Sequence, residues 1–215
     1  MNCERKTIAG TKSLILAVGF VLATCLAAVR PAAAADDISF DLSPSPKTLA
    51  CLSGGSGTPQ AHVTVHRSKF SDKLVITGKN IKPNLAFDMF TVQRSNLLSD
   101  GSPDPNFTTF GLAWYQSDLH ADDHGTFTAT IRTILLDQIF GFDPDVALAP
   151  LNTFHLGFWF NKPNAAKACG FDVNHPTPFN GEHKAGPVAM ITVPDADTNL
   201  GPLCTDPNND GTCNP

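Results

Sequence analysis

The chain has 215 residues, with 20 acidic and 15 basic side chains and a net charge of −5 at neutral pH. This length is enough for one domain with a sizeable core. An acidic chain without clustered Lys and Arg is poorly suited to phosphate backbones, so nucleic acid is excluded as the expected partner.

Residues 1–35 are typical of a signal peptide that is removed on export. Residues 13–29 carry no charge, and the small residues Ala32–Ala35 stand before a polar start at Asp36. Three basic side chains precede the apolar stretch: Arg5, Lys6 and Lys12. We therefore predict a secreted, periplasmic or cell-surface protein, with no transmembrane segment left after cleavage behind Ala35.

The leader has two alternative interpretations. Its 17 uncharged residues are at the low end of what spans a bilayer, which would suit an uncleaved anchor helix. A lipoprotein is the other alternative, because Leu22-Ala23-Thr24-Cys25 resembles a bacterial lipobox with Cys25 as the lipidated residue. Thr24 departs from that pattern, which normally has Gly or Ala before the cysteine.

The charge is unevenly distributed between the leader and the rest. The leader has four basic residues and Glu4, a net of +3, so the remaining chain carries −8. Of the 19 acidic residues in that remainder, only Glu182 is a glutamate. Aspartate favours turns and caps, whereas glutamate favours helix interiors, so this bias predicts many loops and little helix.

Four cysteines follow the leader: Cys51, Cys169, Cys204 and Cys213. An even number in an exported chain predicts two disulfides, and four cysteines allow three pairings. Cys204 and Cys213 enclose eight residues, so we expect them to pair with each other. That leaves Cys51 to pair with Cys169 as a long-range link.

The chain after the leader divides into three segments. Residues 36–60, rich in Ser, Pro and Gly, predict an extended N-terminal arm, and residues 194–215 predict a tail with a small disulfide loop. Residues 61–193 predict a single domain with strands at 61–68, 72–78, 85–93, 109–118, 126–133, 153–161 and 187–193. Such short strands, separated by turns, predict an all-β fold, an antiparallel two-sheet β-sandwich of about seven strands with immunoglobulin-like topology.

The strand at 153–161 is expected to lie at the centre of the core. Four large apolar side chains share one face: Phe154, Leu156, Phe158 and Phe160. His155, Gly157 and Trp159 share the other face, where Gly157 leaves a shallow gap. Either a ligand lies in this gap or other residues of the second face cover it, so these three residues are the candidate ligand-binding site.

The order of features resembles the neocarzinostatin group of secreted bacterial sandwich proteins. The resemblance covers Lys73 to Val193 as a matter of spacing. It depends on five features: Val75–Gly78, Lys82–Asn84, Asp122–Gly125, Cys169-Gly170 and a last strand at Val188–Val193. The resemblance implies an immunoglobulin-like β-sandwich. Members of the group bind a small chromophore in a cleft, but no pocket residue is matched here, and the disulfides of the group are not reproduced.

The densest set of potential metal ligands lies at 120–124. It consists of His120, Asp122, Asp123 and His124. Two imidazoles and two carboxylates could hold Zn²⁺ or another divalent ion. The alternative is a polar turn before a strand, in which Asp and Gly reverse the chain.

A second metal motif lies in the tail. Asp206, Asn208 and Asp210 place oxygen ligands at alternating positions, with Gly211 sixth, as in the first half of a calcium loop. The motif resembles the Asp-rich repeats of thrombospondin type 3, where a cysteine is adjacent. Calcium is therefore the cofactor considered, and a disulfide-closed turn without metal is the alternative.

The histidines of the first predicted strand form a third feature. His62 and His66 alternate with Val63 and Val65, so both imidazoles should lie on one exposed face of the strand. They are interpreted as exposed sheet histidines, with a titratable surface pair as the alternative.

Patterns for a nucleophile, a zinc protease or a phosphate loop are absent from the sequence. The leading hypothesis is a secreted, non-enzymatic β-sandwich that binds a small apolar ligand or a cell-surface partner. One alternative is a secreted hydrolase that uses an Asp/Glu182 pair or the His/Asp cluster. Another is an envelope structural protein with a calcium-ordered tail.

Overall fold

The computed structural model describes residues 37–66, 72–133, 153–177 and 185–204, and these contain nine strands. The strands are β1 Ile38–Pro44, β2 Gln60–His66, β3 Asp72–Lys79, β4 Ala86–Val92, β5 Ala113–His120, β6 Phe127–Thr133, β7 Thr153–Phe160, β8 Val188–Ile191 and β9 Leu203–Cys204. Apolar and polar side chains alternate most clearly along β2, β3 and β6. Two short helices complete the described elements: α1 Leu49–Leu52 and a 3₁₀ helix Pro163–Cys169.

Eight strands form one antiparallel sheet that is nearly closed into a barrel. Their order is β5-β4-β7-β8-β1-β2-β3-β6, and β9 pairs with β7. Strand β1 connects the two halves of the sheet, because Ile38–Leu42 pair with β2 and Ser43-Pro44 pair with β8. The mostly β fold and its antiparallel pairing confirm the expected fold class at this level.

The seven predicted strands are present as β2 to β8, with ends displaced by a few residues. Two segments that were predicted to lie outside the domain contribute strands of their own. In the predicted arm 36–60, the apolar residues Ile38, Phe40 and Leu42 alternate along β1. In the predicted tail, Leu203 of β9 is fully buried against β7. Their pattern was obscured by neighbouring Ser, Pro and Asp.

A disulfide joins Cys51 of α1 to Cys169 at the end of the 3₁₀ helix, which confirms the predicted long-range pair. Leu52 beside it is fully buried in the core. The expected partner of Cys204, Cys213, lies outside the described residues.

Strand β7 is buried on both faces along all of its eight residues. Its four large apolar side chains enter the main core, as predicted: Phe154, Leu156, Phe158 and Phe160. Phe158 packs against Phe87 of β4, with ring centroids 4.9 Å apart, and against Phe127 of β6 at 5.8 Å. The opposite face of β7 packs against a second, smaller hydrophobic cluster.

Candidate functional site

The candidate residues on the second face of β7 have different surroundings. Trp159 is completely buried in the second cluster, where its ring lies 5.5 Å from that of Phe90 and 5.1 Å from that of Phe110. At Gly157 an added Cβ would stand 3.0 Å from Cγ1 of Ile191 and 3.1 Å from Cζ3 of Trp159. Protein side chains therefore cover the gap at Gly157, which is the second of the two outcomes considered for this face.

His155, at the start of the same face, lines a cleft of about 430 Å³, which we call the His155 cleft. Three chain segments form it: the end of β4 with its following loop, the start of β7, and the stretch after β8. The lining residues are Gln93, Arg94, Ser95, Leu97, Leu98, Asp104, Thr153, His155, Pro194, Asn199, Leu200 and Gly201. The volume lies within the range of small-molecule sites, about 300–1,000 Å³.

The floor of the cleft is polar, and hydrogen bonds hold its side chains in place. Thr153 Oγ1 accepts a hydrogen bond from the Gly201 N–H at 2.6 Å and donates to the Gly201 carbonyl at 3.1 Å. Gln93 Oε1 accepts a hydrogen bond from the Leu112 N–H at 2.9 Å. Both side chains are at least nine-tenths buried, so the floor is fixed before any ligand arrives.

His155 is 4% exposed, and its Nδ1 lies 3.0 Å from Oγ1 of Thr192. Burial lowers the pKa of the imidazole to about 4, and a hydrogen bond to the backbone of Thr192 acts in the opposite direction with less effect. At neutral pH the ring is therefore uncharged. Within the described ranges, the hydrogen bonds of the ring are those to Thr192, which orient the imidazole where it lines the cleft.

Histidine beside a hydroxyl residue is the combination that activates a hydroxyl nucleophile, but the hydroxyl of Thr192 is not accessible from the cleft. Thr192 is 1% exposed and does not line the cleft. Its Oγ1 also accepts a hydrogen bond from the Leu156 N–H at 3.2 Å. The pair can thus orient the imidazole, whereas the hydroxyl cannot reach a substrate in the cleft.

A turn after β8 places the wall of the cleft against β7. Asp195 Oδ1 accepts hydrogen bonds from the backbone N–H groups of Asp197 at 3.1 Å and of Thr198 at 2.9 Å. These bonds lower the pKa of the Asp195 carboxyl. The Asp195 N–H donates to the Leu200 carbonyl at 2.9 Å, and the next residue, Gly201, is hydrogen-bonded to Thr153 of β7. This turn lies in the segment 194–215 that was predicted to be a tail with a small disulfide loop.

The His120–His124 segment forms a tight turn between β5 and β6. Asp122 Oδ1 accepts hydrogen bonds from the N–H groups of His124 and Thr126, and Oδ2 accepts one from the Thr126 hydroxyl at 2.7 Å. These bonds lower the pKa of Asp122. Asp123 pairs with His124 at 3.6 Å, and both are exposed. Within the described ranges, no three His, Cys, Asp or Glu side chains are grouped as metal ligands.

The predicted histidine face on β2 is confirmed, since His62 and His66 alternate with buried valines. Each imidazole Nδ1 lies 2.7 Å from a carboxylate oxygen: that of His62 from Asp41 of β1, and that of His66 from Asp37, which directly precedes β1. Both pairs are largely exposed, so they contribute little to stability.

Several predicted residues lie outside the described residues: Cys25, Glu182, Asp206, Asn208, Asp210 and Cys213. The leader 1–35 also lies outside them. In the ranges that are described, no helix combines the length and the apolar character needed to cross a membrane. Comparisons with protein-family models, with curated proteins and with solved structures find no match.

Proposed function

We propose that the protein is exported and acts without catalysis, by holding a small ligand in the His155 cleft. The observation that carries this proposal is the composition of the cleft, with fixed polar groups at the floor and leucines along the walls. Small-molecule sites likewise combine apolar side chains with a few fixed polar groups, although polar residues outnumber apolar ones in the lining of this cleft. The enclosed hydroxyl of Thr192 favours binding over catalysis, because it cannot attack a molecule in the cleft.

Export is supported by two independent features. The leader has the charge and small-residue pattern that signal peptidase requires. The Cys51–Cys169 disulfide suits an oxidising compartment, since the cytosol keeps most thiols reduced.

The proposed fold is a two-sheet, immunoglobulin-like sandwich similar to the neocarzinostatin group. It is supported by β1, which pairs with β2 through one part of its length and with β8 through the other. A second support is the contact between Phe87 of β4 and Phe127 of β6, whose ring centroids are 6.4 Å apart although the two strands are not neighbours in the sheet order.

The test is a titration of the purified protein with octan-1-ol, followed through backbone amide shifts in NMR spectra. We expect shifts at Leu98, His155 and Leu200, and weaker binding after Leu98→Ser. Leu49→Ser is the matched control, because Leu49 is 37% exposed, Leu98 is 40% exposed, and Leu49 does not line the cleft. Octan-1-ol shifts that avoid the cleft, or are equally weakened by both substitutions, would refute the proposal.

Metal analysis separates the two alternative functions. Bound metal that is lost in a His120→Ala plus His124→Ala variant would support the hydrolase. A rise in melting temperature on adding Ca²⁺ would support the calcium-ordered tail.

A further inference from the structure

Arg94 supplies a cation at the His155 cleft. It directly follows the buried Gln93, and its own N–H donates to the Phe110 carbonyl at 3.0 Å, which fixes the backbone there. The side chain is exposed and lines the cleft. Among the residues that the structure describes, no carboxylate pairs with this guanidinium.

Among the described residues, Asp104 is the one acidic side chain that lines the cleft, and its charge is partly compensated. Its Oδ1 accepts a hydrogen bond from the Asn106 N–H at 2.8 Å, as part of a loop turn. Asp104 also borders a neighbouring cleft of about 340 Å³ that includes Lys47. Within the described ranges, no hydrogen bond or ion pair engages the guanidinium of Arg94, so a negatively charged group is the better complement to the part of the His155 cleft beside it.

The walls beside Arg94 are apolar. Leu98 is 40% exposed, one of three large hydrophobic side chains that are exposed within the described ranges. Its N–H donates to the Ser102 carbonyl at 2.8 Å, which fixes the backbone at Leu98 within the loop. Leu200 and Pro194 line the cleft from the stretch after β8. Covering an exposed leucine stabilises a complex through the apolar area removed from water.

We propose that the His155 cleft binds a small amphipathic carboxylate, with the carboxylate at Arg94 and the apolar chain along Leu98 and Leu200. This inference rests on the proposed function, since it names the ligand class of the same cleft. A guanidinium recognises a carboxylate through two parallel hydrogen bonds, which gives orientation as well as affinity. The imidazole of His155 lines the same cleft in its uncharged form, so it adds no second positive charge beside Arg94.

The experiment compares three probes of equal chain length at pH 7.5, octanoate, octan-1-ol and octylammonium, by NMR titration of the purified protein. We expect octanoate to bind roughly 3- to 10-fold more tightly than octan-1-ol, from one charge-assisted contact at a partly exposed site. Octylammonium should bind most weakly. In Arg94→Gln the affinity for octanoate should fall until octanoate and octan-1-ol bind about equally.

Arg132→Gln is the matched control, because Arg132 is an exposed arginine of β6 that does not line the cleft. It should leave all three affinities unchanged. Circular dichroism melts of both variants confirm that each is folded before its affinities are compared.

The outcomes separate this inference from the proposed function. Equal binding of octanoate and octan-1-ol, unaffected by Arg94→Gln, would overturn the carboxylate inference and leave a ligand cleft. Tightest binding of octylammonium would overturn it in favour of Asp104 as the determinant. If none of the three probes shifts the cleft residues, the proposed function fails and the inference fails with it.

Discussion

The burial of His155 should make the stability of the protein depend on pH between about pH 6.5 and pH 4. In the unfolded chain a histidine binds a proton below its ordinary pKa, about 6.5. In the folded protein, burial holds the pKa of His155 at about 4. Between these values the unfolded state binds more protons, so the free energy of unfolding falls as the pH falls.

The size of the effect follows from the two pKa values. The difference between them corresponds to a total change of about 3 kcal/mol in the free energy of unfolding, of which about 2 kcal/mol should be lost between pH 7 and pH 5. Four carboxylates contribute little in this window, because hydrogen bonds lower their pKa values: Asp100, Asp122, Asp172 and Asp195. Their stabilisation is lost only when the pH falls further.

Urea unfolding at pH 7, 6 and 5, at constant ionic strength, measures the effect through tryptophan fluorescence. The variant His155→Asn removes the titrating ring, so its free energy of unfolding should fall by about 2 kcal/mol less than that of the wild type between pH 7 and pH 5. His120→Asn is the control, since His120 is exposed at the end of β5, and it should follow the wild type. Parallel pH curves for wild type and His155→Asn would refute the reasoning.

Three further predictions concern the scaffold. Gly125→Ala should lower the free energy of unfolding more than Gly101→Ala. Both glycines have positive φ, which costs an alanine about 1 kcal/mol. A Cβ at Gly125 would also meet a backbone carbonyl, whereas the space at Gly101 is open. Urea unfolding checks this, and equal losses would contradict it. Replacing Cys51 and Cys169 by alanine should lower the free energy of unfolding by about 4 kcal/mol, because the disulfide closes a long loop. A loss below about 1 kcal/mol would show that the unfolded chain gains little conformational entropy when the disulfide is removed. Asp122→Ala should lower the melting temperature more at pH 7 than at pH 2.5, because the hydrogen bonds that lower the pKa of this carboxyl stabilise its ionised form, which is lost as the pH falls through that pKa. A circular dichroism melt that shows the same loss at both pH values would argue against that role.

Much of the fold could be predicted from local pattern. The alternation of apolar and polar residues predicted β2 to β8 with ends within a few residues of those observed. It also assigned Phe154, Leu156, Phe158 and Phe160 of β7 to the core. The long-range disulfide followed from cysteine spacing. These predictions succeed because a two-residue period reports directly which side of a strand is buried. The same period also exists in β1, where Ile38, Phe40 and Leu42 alternate, but the surrounding Ser and Pro concealed it.

The site could be predicted only in part, because three distant segments build it. The sequence by itself determined that β7 has a large apolar face and a second face with His155, Gly157 and Trp159. Only the tertiary structure decided that Trp159 is covered while His155 borders a cleft. The physical reason is that alternation describes one strand, whereas Arg94 and Leu200 reach the cleft through the pairing of β4 and β9 with β7.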